Sequence, residues 1–334
     1  MIRVLHSGML TTIQDLGRFG FQKYGVIVSG AMDAFALKVA NVLVGNRENT
    51  AALEMTLLGP SLLFEEDCLI AITGFGMTGM IDDRVVPTWR PVYVRAGSTL
   101  TFKSTTDGCR AYLAVEGGFR VPMVMNSAST YLKAAIGGYE GRALRQGDVL
   151  QMGDAVERPL IAKGTLSVMA RESRFAYPNW SVSKDMLPRY QGNPVLRVIP
   201  GGQFEDFTEA SRKVLLGERF EVSSRSDRMG YRLSGPSLEL TEQVELISEA
   251  VTAGTVQVPS DGNPIILLAD RQTIGGYPKI AQVIQADLPI IAQVRPGQRV
   301  GFELVTLDQA QRWLREQHQN INRLKASLKH LSER

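Results

Sequence analysis

Apolar residues along this chain come in short, strand-length runs or alternate with polar ones, and Gly, Pro, Asp and Asn separate one run from the next. Ile2–Leu5, Ser61–Phe64, Leu69–Thr73, Val92–Val94, Thr99–Phe102, Arg110–Val115, Val195–Ile199, Phe220–Val222 and Val300–Glu303 all read this way. Such runs, closed by turn residues, mark strands, and their density predicts an all-β fold of barrels or sandwiches rather than a doubly wound sheet. Two segments depart from the pattern. Asp33–Val44 has helical periodicity with Asp33 as its cap and Gly45-Asn46 as its stop, and a second helix runs from Thr306 to about Leu331. On that second helix Leu314, Ile321, Leu324, Leu328 and Leu331 form one stripe, which either packs on its own domain or docks a partner.

An internal echo divides the chain. Val94–Phe102 (VRAGSTLTF) recurs at Val294–Phe302 (VRPGQRVGF), and Gly59-Pro60-Ser61-Leu62 recurs as Gly235-Pro236-Ser237-Leu238. The shared order predicts two related β domains, residues 1–185 and 186–305, joined in the Tyr177–Pro194 stretch and followed by the helix 306–334.

Composition narrows the function classes. With 37 basic and 34 acidic residues the net charge is +3, and no basic run marks a nucleic-acid surface. No apolar stretch reaches the ~20 residues of a membrane span, and the amino terminus has no signal-peptide core, so a soluble cytoplasmic protein is expected. Cys68 and Cys109 read as buried small hydrophobes. His6, His318 and His330 build neither a zinc site nor a Ser-His-Asp set, so no metal ligands are assigned. A phosphate loop, a dinucleotide fingerprint and a biotinyl-lysine segment are all missing from the sequence. Any chemistry therefore falls to carboxylates, amides, Lys, Arg, Tyr and backbone N–H groups.

Ser248–Ile280 holds the densest set of such groups. The apolar run Ile265–Ala269 predicts a buried strand that delivers Asp270-Arg271-Gln272-Thr273 at its end, followed by Gly275-Gly276, Tyr277 and Lys279. Polar groups at the mouth of a rigid strand beside glycines suit a small-molecule site. They equally suit a polar sheet corner. Asp270 and Lys279 are the proton-transfer or charge-stabilising candidates, or else an ion pair, while Gln257, Gln272 and Thr273 can orient an amide. Gln14, Asp15 and Arg18, with Ser29 and Asp33 opening the first helix, form a second constellation, read alternatively as a capped helix with an Asp15–Arg18 pair. Arg225, Arg228 and Arg232 around Tyr231 can grip an anion or simply make a basic hairpin. Tyr112–Phe119 with Ser127–Thr130 joins a strand to glycines and hydroxyls without specifying a chemistry.

The segments 11–20 (TTIQDLGRFG), 25–46 (GVIVSGAMDAFALKVANVLVGN), 51–60 (AALEMTLLGP), 112–119 (YLAVEGGF), 226–238 (SDRMGYRLSGPSL) and 254–281 (GTVQVPSDGNPIILLADRQTIGGYPKIA) together resemble one family. It is the family of the C subunit of 5-oxoprolinase, also called the KipI antagonist KipA, related to allophanate hydrolase subunit 2 and the carboxyltransferase part of urea amidolyase. The resemblance implies two cyclophilin-like β-barrel domains with an interdomain cleft. One wall would be Gln257–Lys279, and the Asp15–Asp33 loop would face it. It also implies a complex with the A and B subunits, the latter KipI-like, that converts 5-oxo-L-proline to L-glutamate with ATP and Mg2+ at a site shared with a partner. No biotin would be attached to this chain. Within the matching motifs, Lys279, Asp270 and Asp15 become the catalytic candidates, with Asp270, Asp15 or Asp33 available to magnesium. Arg18, Ser29, Asp33, Arg228, Gln257, Gln272, Thr273 and Tyr277 become the substrate-binding candidates. A biotin-dependent carboxyltransferase acting on urea or a similar amide, and a non-enzymatic binding protein, are the competing readings.

Overall fold

The computed structural model describes residues 1–154, 163–170, 173–242 and 246–332. The chain folds as two compact units that are not simple halves of the sequence. One comprises Met1–Arg18, Asp33–Leu187 and His318–Arg334, and the other Phe19–Met32 and Pro188–Gln317.

The first unit is built from two six-stranded sheets. In one, Ile2–His6 lies between Val149–Leu150 and Ser61–Phe64, and the order continues through Thr99–Ser104, Met77–Ile81 and Arg84–Val86. In the other, Cys68–Gly74 and Arg110–Val115 are central, flanked by Pro91–Val94 on one side and by Ala52–Thr56 and Leu10–Gln14 on the other. Alternate residues of both sheets, among them Ile2, Leu62, Leu100, Ile13, Leu53, Ile70 and Leu113, meet in one core. Cys68 and Cys109 are buried thiols outside any disulfide, as their apolar contexts predict. The helix Ala34–Leu43 is capped by Asp33, whose carboxylate accepts the Ala36 N–H at 2.9 Å, and it ends where Gly45 takes φ +82°. Nearly all of its side chains are buried, so it is an interior helix rather than an amphipathic surface one.

The second unit is a closed seven-stranded barrel. Its order is Val195–Pro200, Lys279–Val283, Thr255–Gln257, Ile265–Leu267, Gly230–Ser234, Phe220–Val222 and Arg299–Leu304, and the parallel pairing of the last with the first closes it. Leu196, Val198, Phe220, Leu233, Val256, Ile266, Val300 and Phe302 fill the interior. A helix that the strand-dominated pattern did not announce, Glu209–Gly217, starts at Thr208, whose hydroxyl accepts the Ser211 N–H at 3.1 Å. Its buried face is only Ser211 and Leu215, too little apolar periodicity to be read from sequence.

Half of the sequence echo has a structural counterpart. Gly97 and Gly297 both take left-handed backbone, at φ +78° and +86°. Each donates its N–H to a neighbouring strand, Gly97 to Phe64 O and Gly297 to Val222 O, and each turn closes through an i+3 bond, Ser98 to Arg95 O and Gln298 to Arg295 O. The Gly-Pro-Ser-Leu pair does not correspond. Gly59-Pro60 leads into the strand that partners Gly97, whereas the strand that partners Gly297, Phe220–Val222, precedes Gly235-Pro236.

The last helix, Leu307–Ser332, also resolves an expectation. Of the stripe, Ile321, Leu324 and Leu328 are buried by the chain itself and serve as packing surface, while Leu314 is half-buried and Leu331 exposed.

Candidate functional site

The strand predicted over Ile265–Ala269 pairs only through Leu267. Beyond it the backbone keeps two bonds to the neighbouring segment, Leu268 N–H to Met229 O and Asp270 N–H to Arg228 O, both near 2.9 Å. That register sets Asp270 beside Arg228. Arg228 Nε donates to Asp270 Oδ2 at 2.9 Å and Nη2 to Oδ1 at 3.0 Å, the forked geometry a guanidinium and a carboxylate favour. Ser29 Oγ donates to the same Oδ1 at 2.7 Å, and Arg228 Nη2 reaches Gly30 O at 2.6 Å. All three side chains are buried. Asp270 and Arg228 therefore fasten the Phe19–Met32 segment to the barrel, with Ser29 held at φ +57°. Asp270 does not pair with Lys279, and the ion pair expected between those two is divided between other partners.

Lys279 stands on the strand opposite Gln257, where the register shifts by a residue. Its ammonium is largely buried and donates to Glu249 Oε1 at 2.6 Å. Gln203 brackets its backbone: Gln203 Oε1 accepts the Lys279 N–H, and Gln203 N–H donates to Lys279 O, both at 3.1 Å. Gly201 allows this approach, because a Cβ there would lie 2.1 Å from Lys279 O. Gln257 is 2% exposed, and its Nε2 has no hydrogen-bond partner among the described residues. Beside that amide lies the bare backbone of Gly275, where a Cβ would come within 2.5 Å of Gln257 Nε2 and 3.3 Å of Gln272 Nε2. Thr273 carries its carbonyl to Val251 N–H, and Tyr277 is exposed on the rim. Arg271 braces the base through Leu268 O and Val251 O, and burial pulls its guanidinium below the usual value. Gln257 and Gln272 are thus brought together at Gly275, with Lys279 on the strand opposite Gln257, while Asp270, Arg228 and Ser29 form a separate clamp.

In the first unit the Asp15 carboxylate is saturated. It accepts Ser127 Oγ at 2.7 Å, Ser129 Oγ at 2.5 Å, Ala128 N–H at 2.7 Å and Gly17 N–H at 2.8 Å. Arg18 donates to Ser129 O at 2.6 Å and to Val124 O at 3.3 Å. The two residues hold one loop from two sides instead of pairing with each other as the capped-loop reading had it. Asp33 caps its helix and donates its N–H to the Tyr112 hydroxyl oxygen at 2.8 Å; that hydroxyl in turn donates to Glu54 at 2.7 Å. Burial first, then the charges of Glu54 and Asp33, push Tyr112 well above its usual value.

These carboxylates do not suit Mg2+. The oxygens of Asp15, Asp33 and Asp270 face protein donors, and no group of three acidic, His or Cys side chains among the described residues is spaced to hold an ion. No helix among the described residues is long and apolar enough to cross a membrane.

Sequence reasoning missed Gly201, Gln203, Glu249 and Glu54. Gly201 opens a Gly201-Gly202 pair after a strand, with Gln203 next to it, the same strand-then-glycine signal that singled out Gly275-Gly276. Glu249 and Glu54 carried no local signal.

Comparison with known proteins agrees with the fold. Residues 24–304 match the carboxyltransferase domain, subdomain A and B, family. The chain is 40% identical to the C subunit of 5-oxoprolinase from Escherichia coli (strain K12) over 97% of each chain. It is 42% identical to the C subunit of 5-oxoprolinase from Haemophilus influenzae over 93% of each. The crystal structure of the K. lactis urea amidolyase superposes with a TM-score of 0.85 at 28% identity, over 97% of this chain but 20% of that much longer one. With its barrel, its paired sheets and its terminal helix, the chain belongs to the family of 5-oxoprolinase C subunits, which are carboxyltransferase-domain proteins.

Proposed function

We propose that this protein is the C subunit of a heteromeric, ATP-dependent 5-oxoprolinase and that Gln257, Gln272 and Lys279 form its contact with the cyclic amide. The observation that carries the reading is the Gln257 amide, buried with an unsatisfied N–H beside Gly275 and opposite Lys279. A buried donor left unpaired costs about 1–3 kcal/mol, and an arriving carbonyl oxygen removes that cost. Lys279 supplies a positive charge to the anionic ligand across from that amide, on a backbone that Gln203 and the barrel hold still. Asp270 and Arg228 act one step away, as the clamp that holds the Phe19–Met32 segment on the barrel. ATP activates the amide in this reading, and because the carboxylates here are committed to protein donors, nucleotide and magnesium are assigned to the A and B subunits.

The match to a carboxyltransferase family and the likeness to urea amidolyase favour a second reading, transfer of a carboxyl group from a biotin carrier to an amide. Co-expression with the partner proteins separates the two. Under the first reading 5-oxoproline-dependent ATP hydrolysis disappears when this protein is omitted, disappears in Lys279→Ala with assembly intact, and is indifferent to avidin. Turnover without this protein, or wild-type turnover by Lys279→Ala, overturns it, and inhibition by avidin selects the second reading.

A further inference from the structure

Lys279 and its partner are unequally placed. The Lys279 side chain is 11% exposed and that of Glu249 57% exposed. Glu249 sits on Glu249–Ala250, which pairs only with Ile274–Gly275 in a two-stranded sheet apart from the barrel. Lys279 belongs to a barrel strand and is locked at both backbone groups. Moving the Glu249 carboxylate into water breaks one bond, whereas the ammonium is the more buried partner and rises from a strand whose backbone is held at both groups. The two-stranded sheet that carries Glu249 also supplies Gly275, the bare backbone against which the Gln257 amide stands.

We infer that Glu249 is a displaceable counter-ion that occupies Lys279 until the carboxylate of a small amide ligand replaces it, while the carbonyl of the same ligand takes the Gln257 N–H. The ligand class follows from the donors: an ammonium and a primary amide on opposed strands match an anionic oxygen and a carbonyl oxygen carried by one small molecule. The exchange leaves the charge count of the pocket unchanged and trades a partly exposed ion pair for one that the ligand screens from water. Glu249 is a positioning residue in this scheme. It keeps the ammonium neutralised in the empty site and selects for ligands able to compete as anions. The inference rests on the assignment of Gln257 and Lys279 to the ligand.

Isothermal titration of the full chain with 5-oxo-L-proline, with neutral 2-pyrrolidinone and with acetate tests it. Glu249→Gln removes the competing charge and keeps the side-chain shape, so affinity for 5-oxoproline and acetate rises about 3- to 10-fold while that for 2-pyrrolidinone is unchanged. Adding Lys279→Met to Glu249→Gln abolishes the gain. Equal effects on charged and neutral ligands, a weaker affinity for anions, or no measurable anion binding by Glu249→Gln overturns the counter-ion role. A gain for acetate without any preference for 5-oxoproline keeps that role and removes the 5-oxoprolinase reading instead. Unchanged hydrogen exchange in peptides covering residues 246–250 verifies that the two-stranded sheet is intact.

Discussion

Replacing Asp270 by Ala strips the barrel clamp of its acceptor. Arg228 loses the bonds of Nε and Nη2 to the carboxylate, Ser29 Oγ loses its acceptor, and the buried guanidinium loses the charge opposite it. Breaking a buried pair from one side costs about 3–5 kcal/mol, because an uncompensated charge remains in the interior. At about 4 °C per kcal/mol for a unit of this size, the melting temperature of the second unit falls roughly 10–20 °C. Trp313, stacked on Arg197 within that unit, reports its unfolding by fluorescence once Trp89 and Trp180 are replaced by Phe. Asp270→Asn keeps an acceptor for Arg228 and costs less, about 1–3 kcal/mol. The double variant Asp270→Ala/Arg228→Met recovers part of the loss, since the charge and its partner leave together. Hydrogen exchange should first rise across residues 19–32, the segment held by Ser29 and Gly30. A melting temperature for Asp270→Ala within about 3 °C of wild type would refute the clamp, as would a double variant no more stable than the single one.

Two glycines near Lys279 are expected to respond differently. Gly275→Ala presses on the flexible ends of Gln257 and Gln272, so stability changes by less than ~1 kcal/mol while KM for 5-oxoproline in the assembled enzyme rises about tenfold; a wild-type KM contradicts the site. Gly201→Ala meets the carbonyl of Lys279 at 2.1 Å and should cost roughly 1–3 kcal/mol in urea unfolding as well as turnover. Leu328→Ala in the last helix, at a position 1% exposed, should destabilise by about 2–5 kcal/mol; a loss under 1 kcal/mol would mean that the stripe is not packing surface after all. The pH profile has two limbs. The Tyr93 hydroxyl first, then the Ala96 N–H, hold Asp67 below its ordinary 3.8, so its contribution is present above that value and is lost as acid carries the pH through the lower folded value. Burial and then Asp67 push Tyr93 up to about 12, so that contribution is present below 10 and is lost as pH rises toward 12. Asp67→Asn should flatten the acid limb of stability measured by denaturant titration, and an unchanged limb would remove the assignment.

Much of the fold was legible because its signals are local. The strands Ser61–Phe64, Arg110–Val115 and Phe220–Val222 fall where alternation and turn residues put them, and the Asp33 cap and the Gly45 stop bound their helix within a residue. The site was half legible for the same reason. Gln257, Gln272 and Lys279 lie near glycines that advertise close backbone approach, and those glycines are visible in sequence.

What sequence alone determined, then, is the periodicity of most elements and a list of polar groups near one barrel edge. Tertiary structure decided the partners. Asp270 went to Arg228 because antiparallel register sets residues 42 apart side by side, and Lys279 went to Glu249, 30 residues away, on a two-residue strand too short to leave a periodic trace. Asp15 found Ser127 and Ser129 more than a hundred residues on. Charge pairing acts over a few ångströms in space, whatever the separation along the chain. A sequence therefore names the carboxylates and the cations, and only the packed barrel and sheets settle which of them are spent on holding loops and which are left to meet a ligand.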